Sequence, residues 1–377
     1  MMCISRLISL FCASSLMVCS LVAQAEPGVT DSTVTVGMSA PFSGPSADFG
    51  SALKEGAEAY LRYVNDNGGI HGRKIQLLAL DDAADASRTV ANTKKMTGDG
   101  SVLALMSYYG VSTGAVLPLL DVASTPLIGV ASGAESLRDP PQRYLFNLRA
   151  SYLDEADAIV TQLDSQGLNQ IAVFYQNDSV GRSGLSGAKN AMVRLTLRPT
   201  AIASIEPGTM NVSKAAVDIA ASKPQAVVII APAHATAEFI QKIHSFSVYP
   251  QFIALSVLAD DPLLKGVRAK VRGLGLSQVM PDPWAMSLPV TKQYLTLLKQ
   301  YPNVAPSYYG LEGFLAAKLT VEAIRRAGKY PTREKLVSAL ESEYDLGGYH
   351  VRYSSNSRNG SRFVEMSVIS RDGRIVR

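Results

Sequence analysis

Val64-Asn65-Asp66-Asn67-Gly68-Gly69-Ile70-His71-Gly72-Arg73-Lys74-Ile75 joins the end of a helix, its stop and the start of a strand in one short stretch. Upstream, Phe49, Leu53, Ala57, Tyr60, Leu61 and Val64 recur at helical spacing. Asn67-Gly68-Gly69 then ends that helix, because glycine enters left-handed backbone angles without a Cβ clash. Downstream, residues 74–80 are mostly apolar and read as a strand, as do residues 33–38 ahead of the helix. Strand, helix, strand is a βαβ unit, whose two strands must run parallel.

The same rhythm runs outward. Strand 102–106, helix 110–123, strand 126–130 and helix 152–166 complete one series. A second follows: strand 170–175, helix 183–197, strand 201–205, helix 212–222, strand 226–231, helix 235–246 and strand 251–255. Two such series predict an α/β protein of two doubly wound lobes, each with its site at the carboxyl ends of its parallel strands. Residues 289–300, 308–327 and 332–343 read as helices without strong strands between them. Residues 349–353 and 362–370 read as a hairpin-like pair, followed by a turn at Arg371-Asp372-Gly373-Arg374.

The 377 residues carry 36 Lys+Arg against 32 Asp+Glu, a formal charge of +4, with 47% hydrophobic and 18% charged residues. These values exclude disordered, collagen-like and coiled-coil classes. Lys and Arg form no long block, so nucleic acid is not an expected partner. Residues 1–25 hold one charge, Arg6, then an uncharged run closing on Ala23-Gln24-Ala25, with small residues where signal peptidase reads them. Cleavage after Ala25 and export to the periplasm are expected. An uncleaved anchor is the competing reading, and a lipoprotein on Cys19 fits less well because bulky Val18 precedes it. Cys3, Cys12 and Cys19 all lie in this segment, so the mature chain has no disulfide, thiolate metal site or cysteine nucleophile.

No catalytic constellation emerges. Ser51-Ala52-Leu53-Lys54 and Ser186-Gly187-Ala188-Lys189 match S-x-x-K without its companion motifs. His71, His234, His244 and His350 lack metal-ligand spacing, and no P-loop or G-x-G-x-x-G occurs. Asp81-Asp82 reads as a strand end and helix cap, since adjacent strand residues face opposite ways. No metal, cofactor or enzymatic activity is expected. The turns Ala40-Pro41-Phe42-Ser43-Gly44-Pro45, Ser107-Tyr108-Tyr109-Gly110 and Ala131-Ser132-Gly133 are more telling. They follow strands and converge at one sheet edge, beside helix N-termini suited to a carboxylate or carbonyl.

Ser43-Gly44-Pro45 with Gly50, the opening stretch, Asp81-Asp82-Ala83, Thr125-Pro126-Leu127-Ile128, Tyr175 to Gly181 and Arg371-Asp372-Gly373 resemble the leucine/isoleucine/valine-binding protein family. These are type I periplasmic substrate-binding proteins of ABC importers. The resemblance spans essentially the whole mature chain, and its most specific segment is Asn-x-x-Gly-Gly-Ile-x-Gly-Arg. It implies one lobe of residues 26–149 with 279–350 and another of 150–278 with 351–377. Three crossovers are implied near Arg149, 277–281 and 349–353, with hinge closure over a small-molecule ligand.

The departures from that family bear on the ligand. Glycines Gly110 and Gly133 stand where relatives hold a carboxylate with Ser or Thr, leaving Ser112 and Ser132 nearby. The acid that pairs with an α-ammonium corresponds to Ser256, an aromatic contact to Val180, and another tyrosine to Pro232–Ala233. Phe49 is retained, and a disulfide of some members falls on Ala84 and Tyr109. A shift of register would instead bring Asp260 or Asp261 to the acid's place and restore amino-acid binding. An ammonium buried without its acid typically costs ~3–5 kcal/mol.

The candidate ligand-binding set is Ser43, Phe49, Tyr108, Tyr109, Gly110, Ser112, Ala131, Ser132, Gly133 and Tyr309 with Gln176, Val180, His234 and Ser256. The expected function is an exported, monomeric solute-binding protein that delivers a neutral, aromatic or apolar molecule to an ABC permease. A branched-chain or other amino-acid-binding protein is the alternative, and a periplasmic sensor for a receptor is one of another class.

Overall fold

The computed structural model describes residues 26–98, 100–258, 266–267, 270–300, 304–372 and 374–376. The expected signal segment, Asp260 and Asp261 lie outside them.

The first lobe is built on β1 (Thr33–Ala40), α1 (Ala47–Asp66), β2 (Lys74–Asp81), α2 (Ala86–Gly98), β3 (Ala104–Met106), α3 (Leu117–Ala123), β4 (Leu127–Ile128) and β5 (Leu145–Phe146). All five strands are parallel, in the order β2-β1-β3-β4-β5. The second lobe runs α4 (Tyr152–Ser165), β6 (Ile171–Gln176), α5 (Ser179–Arg194), β7 (Ile202–Ile205), α6 (Ser213–Ala221), β8 (Ala226–Ile230), α7 (Ala233–Ser245), β9 (Gln251–Ala254) and β10 (Gly275–Gln278). Its parallel order, β7-β6-β8-β9-β10, repeats that of the first sheet. Each sheet therefore reverses its winding beside its first strand, which opens a crevice at the strands' carboxyl ends.

The chain then returns to the first lobe as α8 (Pro289–Leu298), α9 (Tyr308–Ala327) and α10 (Arg333–Leu340). Helix α9 is buried along nearly its whole length and packs on α1 with the backbones almost touching. A Cβ on Gly56 would lie 1.8 Å from the Gly310 carbonyl oxygen, and one on Gly313 2.0 Å from that of Leu53. In the motif between α1 and β2, the Asn65 amide donates to the Ile75 carbonyl (2.9 Å) and accepts from its N–H (2.7 Å), fixing the helix end to the strand. Arg73 reaches further, donating to the carbonyls of Thr30 and Lys329. The most specific stretch of the sequence is thus a structural clamp that ties α1 to β2 and to the Thr30 and Lys329 carbonyls.

Two expectations give way. Residues 110–123 are not one helix but a 3-10 turn, Val111–Val116, followed by α3. Pro118 lacks the N–H that would continue the first turn and starts the second. Residues 349–353 do not pair with 362–370. Instead β11 (Glu343–Asp345) pairs with β12 (His350–Arg352), while β13 (Glu365–Ile369) joins β10 antiparallel and receives β14 (Ile375–Val376) at its outer edge. Between β12 and β13, Asn147 donates to the Arg358 carbonyl (2.8 Å) and accepts from the Gly360 N–H (2.8 Å). The chain therefore keeps to the first lobe through Gly360 and reaches the second sheet only after it.

Candidate ligand-binding site

The carboxyl ends of both parallel sheets face one cavity of about 920 Å³, near the upper end of the range for small-molecule sites. The first lobe contributes an aromatic platform. Phe49 in the first turns of α1 stacks on Tyr109 after β3, with ring centroids 5.4 Å apart and planes 13° apart. Tyr309 completes it at 4.9 Å from Phe49 and 6.1 Å from Tyr109. Ser307 caps α9 by accepting from the Gly310 N–H, which sets Tyr309 in the helix's first turn. Burial holds the Tyr309 hydroxyl well above its ordinary pKa, so it stays protonated. Ser112 and Ala131 line the same side, and the Ser112 hydroxyl donates to the Tyr109 carbonyl.

From the second lobe come Gln176, Asp178, Val180, Ile230, Pro232, Val257 and Leu258, with Tyr152 at the start of α4. Among the described lining residues, Asp178 alone carries a formal charge.

Eight of the candidate residues meet here: Phe49, Tyr109, Gly110, Ser112, Ala131, Gln176, Val180 and Tyr309. Gly110 has φ +73° and ψ −174°, a conformation that strains any side chain, and its N–H donates to the Ala131 carbonyl (3.2 Å). This glycine serves the turn as well as the cavity.

The other candidates are held elsewhere. The Ser43 hydroxyl donates to Asp81 (2.6 Å), which also accepts from the N–H groups of Phe42 and Ala83; these bonds and the Arg88 guanidinium hold the Asp81 carboxyl well below the usual carboxylate range. Tyr108 is buried behind the platform with its hydroxyl 2.9 Å from that of Thr93. Ser132 is buried and accepts from the Ala134 N–H. Gly133 does not widen the cavity, because the Tyr152 ring fills its side-chain space, 2.5 Å from where a Cβ would stand. His234 is exposed on α7, off the lining.

Ser256 does not face the cavity either. Its hydroxyl accepts from Arg149 (2.6 Å) and donates to Glu155 (3.0 Å), and its N–H donates to the same carboxylate (2.8 Å). Its neighbours Val257 and Leu258 line the cavity in its place. Arg149 lies 3.5 Å from Glu155 on α4 and 3.4 Å from Glu312 on α9, all three buried, so one guanidinium joins both lobes where the chain first crosses. Burial alone would lower the Arg149 pKa, but Glu312 and Glu155 outweigh it and raise it well above the ordinary value. Close by, the Tyr349 hydroxyl lies 3.3 Å from the Leu148 carbonyl and 3.2 Å from that of Val279, tying two chain passages together.

Tyr152, Asp178, Ile230, Val257 and Leu258 were not read from the sequence. The signals available were weak ones: Ser151 and Asp178 as helix caps, accepting from the N–H groups of Asp154 and Gly181.

The sequence profile of the periplasmic binding protein family matches residues 33–359. The chain belongs to the periplasmic binding protein family. It is 26% identical over 209 residues to Leu/Ile/Val-binding protein homolog 2 of Brucella abortus, a match covering 54% of each chain, so it spans about half the length of that curated relative. The substrate-binding periplasmic protein of Ralstonia solanacearum is 34% identical, with a TM-score of 0.78 over 91% of this chain and 99% of that one. A branched-chain amino acid ABC transporter structure from Thermus thermophilus with bound valine shares the fold at 19% identity and a TM-score of 0.79, covering 92% and 96% of the two chains. The family is one of substrate-binding transport proteins rather than enzymes, and no described helix of this member is long and apolar enough to cross a membrane.

Proposed function

We propose that this periplasmic binding protein captures a small molecule with an aromatic or apolar body between its lobes and hands it to an ABC importer as a monomer. The ligand is not a standard α-amino acid. One observation carries this reading: the described cavity wall pairs a three-ring platform with aliphatic side chains and offers an α-carboxylate no cationic partner. The Gly110 N–H and the Ser112 hydroxyl, the donors expected for a carboxylate, are spent on backbone carbonyls. The basis for rejecting amino acids therefore moves from the ammonium, as Ser256 suggested, to the carboxylate. Lobes of residues 26–149 with 279–350 and 150–278 with 351–377 fit this function, with the last crossover drawn out to Gly360 by its bond to Asn147, since closure between them would seal the platform.

Calorimetry with leucine, isoleucine and valine tests the reading, with no binding tighter than about millimolar expected. Micromolar affinity for any of them would return the protein to amino-acid uptake. A thermal-shift panel of aromatic acids, amides, amines and lipids should produce a hit, and small-angle scattering with that hit should give a smaller radius of gyration. An unchanged radius at saturation counts against closure. The exported protein is expected to begin at Glu26; an intact mass that retains residues 1–25, or includes a lipid on Cys19, would refute that processing.

A further inference from the structure

We infer that Asp178 is the polar anchor of the ligand, which therefore carries an N–H donor end, an amine or a carboxamide, and no carboxylate. The inference deepens the apolar-ligand reading and rests on it.

Asp178 follows β6 and caps α5. One carboxylate oxygen accepts from the Gly181 N–H (2.8 Å) and the other from the Gln176 amide (2.5 Å), and both Gln176 and Asp178 line the cavity. A carboxylate offers about four acceptor positions, so these two bonds leave capacity for a donor arriving from the cavity. Asp178 forms no ion pair with a described residue. The neighbouring guanidinium of Arg182 is engaged by the Asn177 carbonyl and side-chain oxygens (3.1 and 3.0 Å). The N-terminus of α5 favours the charge locally, but closure over an apolar molecule strips water from it. A ligand N–H replaces that water with a charge-assisted bond.

The opposite polarity fails on the same wall. A ligand carboxylate near Asp178 meets a like charge, and no Lys, Arg or His lines the described cavity to offset it. Across the cavity, Phe49, Tyr109 and Tyr309 supply ring faces for an apolar body, and such faces attract cations and repel anions.

The bland reading is that Asp178 only caps a helix. Asp178→Asn separates the two roles, because asparagine caps about as well as aspartate but carries no charge. The probes are 2-(1-naphthyl)ethylamine, 1-naphthaleneacetamide and 1-naphthaleneacetate, which share an aromatic body, titrated by calorimetry into wild type and D178N. Wild type should bind the amine and the amide, and the acetate at least about tenfold more weakly. D178N should lose about ten- to a hundredfold for the amine and close most of the gap between amine and acetate. If D178N fails to fold, D178S, which also keeps the cap, takes its place. The assignment is overturned if wild type binds the acetate as tightly as the amine, or if the variant keeps its amine affinity. Either result leaves the apolar-ligand reading standing. Failure of all three probes on wild type overturns the anchor too, and the wider thermal-shift panel then judges the apolar reading by itself.

Discussion

Arg149→Met is expected to cost ~3–5 kcal/mol of stability, the usual penalty for leaving buried charge uncompensated. The guanidinium lies between Glu155 and Glu312, with each side chain of the trio at most 3% exposed. Removing it leaves two carboxylates in a site from which water is excluded. Glu155 keeps the Ser256 N–H (2.8 Å) and the Ser277 hydroxyl (2.6 Å) as donors. Because its two carboxylate neighbours hold the Arg149 pKa above an already high value, the destabilisation should persist as pH rises from neutral, and it should shrink in acid, where the stranded carboxyls can protonate. Thermal unfolding should show a drop on the order of 10 °C. The double variant R149M/E312M should recover part of it, since apolar residues often replace a buried ion pair without loss and Glu155 keeps its serine donors. A single variant as stable as wild type, or a double variant no better than the single, would remove this network from the account of how the lobes are joined.

The second large effect lies at the helix pair that carries the aromatic platform. Gly56→Val should destabilise by more than ~3 kcal/mol, beyond the usual cost of overpacking. Its Cβ would stand 1.8 Å from the Gly310 carbonyl oxygen, and that neighbour is backbone, which cannot rotate away. Helices α1 and α9 would have to separate, moving Phe49 on one and Tyr309 on the other. Any folded variant should therefore bind its ligand more weakly as well. Gly98→Ala is the matched control: Gly98 closes α2, with nothing within 4 Å of an added Cβ. It should leave stability unchanged or raise it by up to about 1 kcal/mol. Urea unfolding of the two variants makes the comparison, and equal midpoints would show that the close approach is relaxed at little cost.

What the sequence determined by itself was local. Spacing of apolar residues placed β1, α1 and β2, and the alternation beyond them announced two parallel sheets, because helix and strand periodicities are written over a few neighbouring residues. Tyr109 stood out because it occupies a turn at a strand's carboxyl end, whereas the Asn65–Arg73 motif and Phe49 and Val180 as cavity residues were implied by the family resemblance. Short elements such as β5 and β10 escaped, having too few residues to show a period. The tertiary structure alone decided which side chains of those same turns face inward. Ser256 leaves the cavity because Arg149 and Glu155, 107 and 101 residues away in sequence, bind it, and that rotation presents Val257 and Leu258 instead. Gly133 gains no space because Tyr152, from the next helix, fills it. Asp178 becomes the charged point on the wall only once the two lobes face each other. A turn's chemistry is set by its own residues, but its orientation is set by partners that only folding brings near.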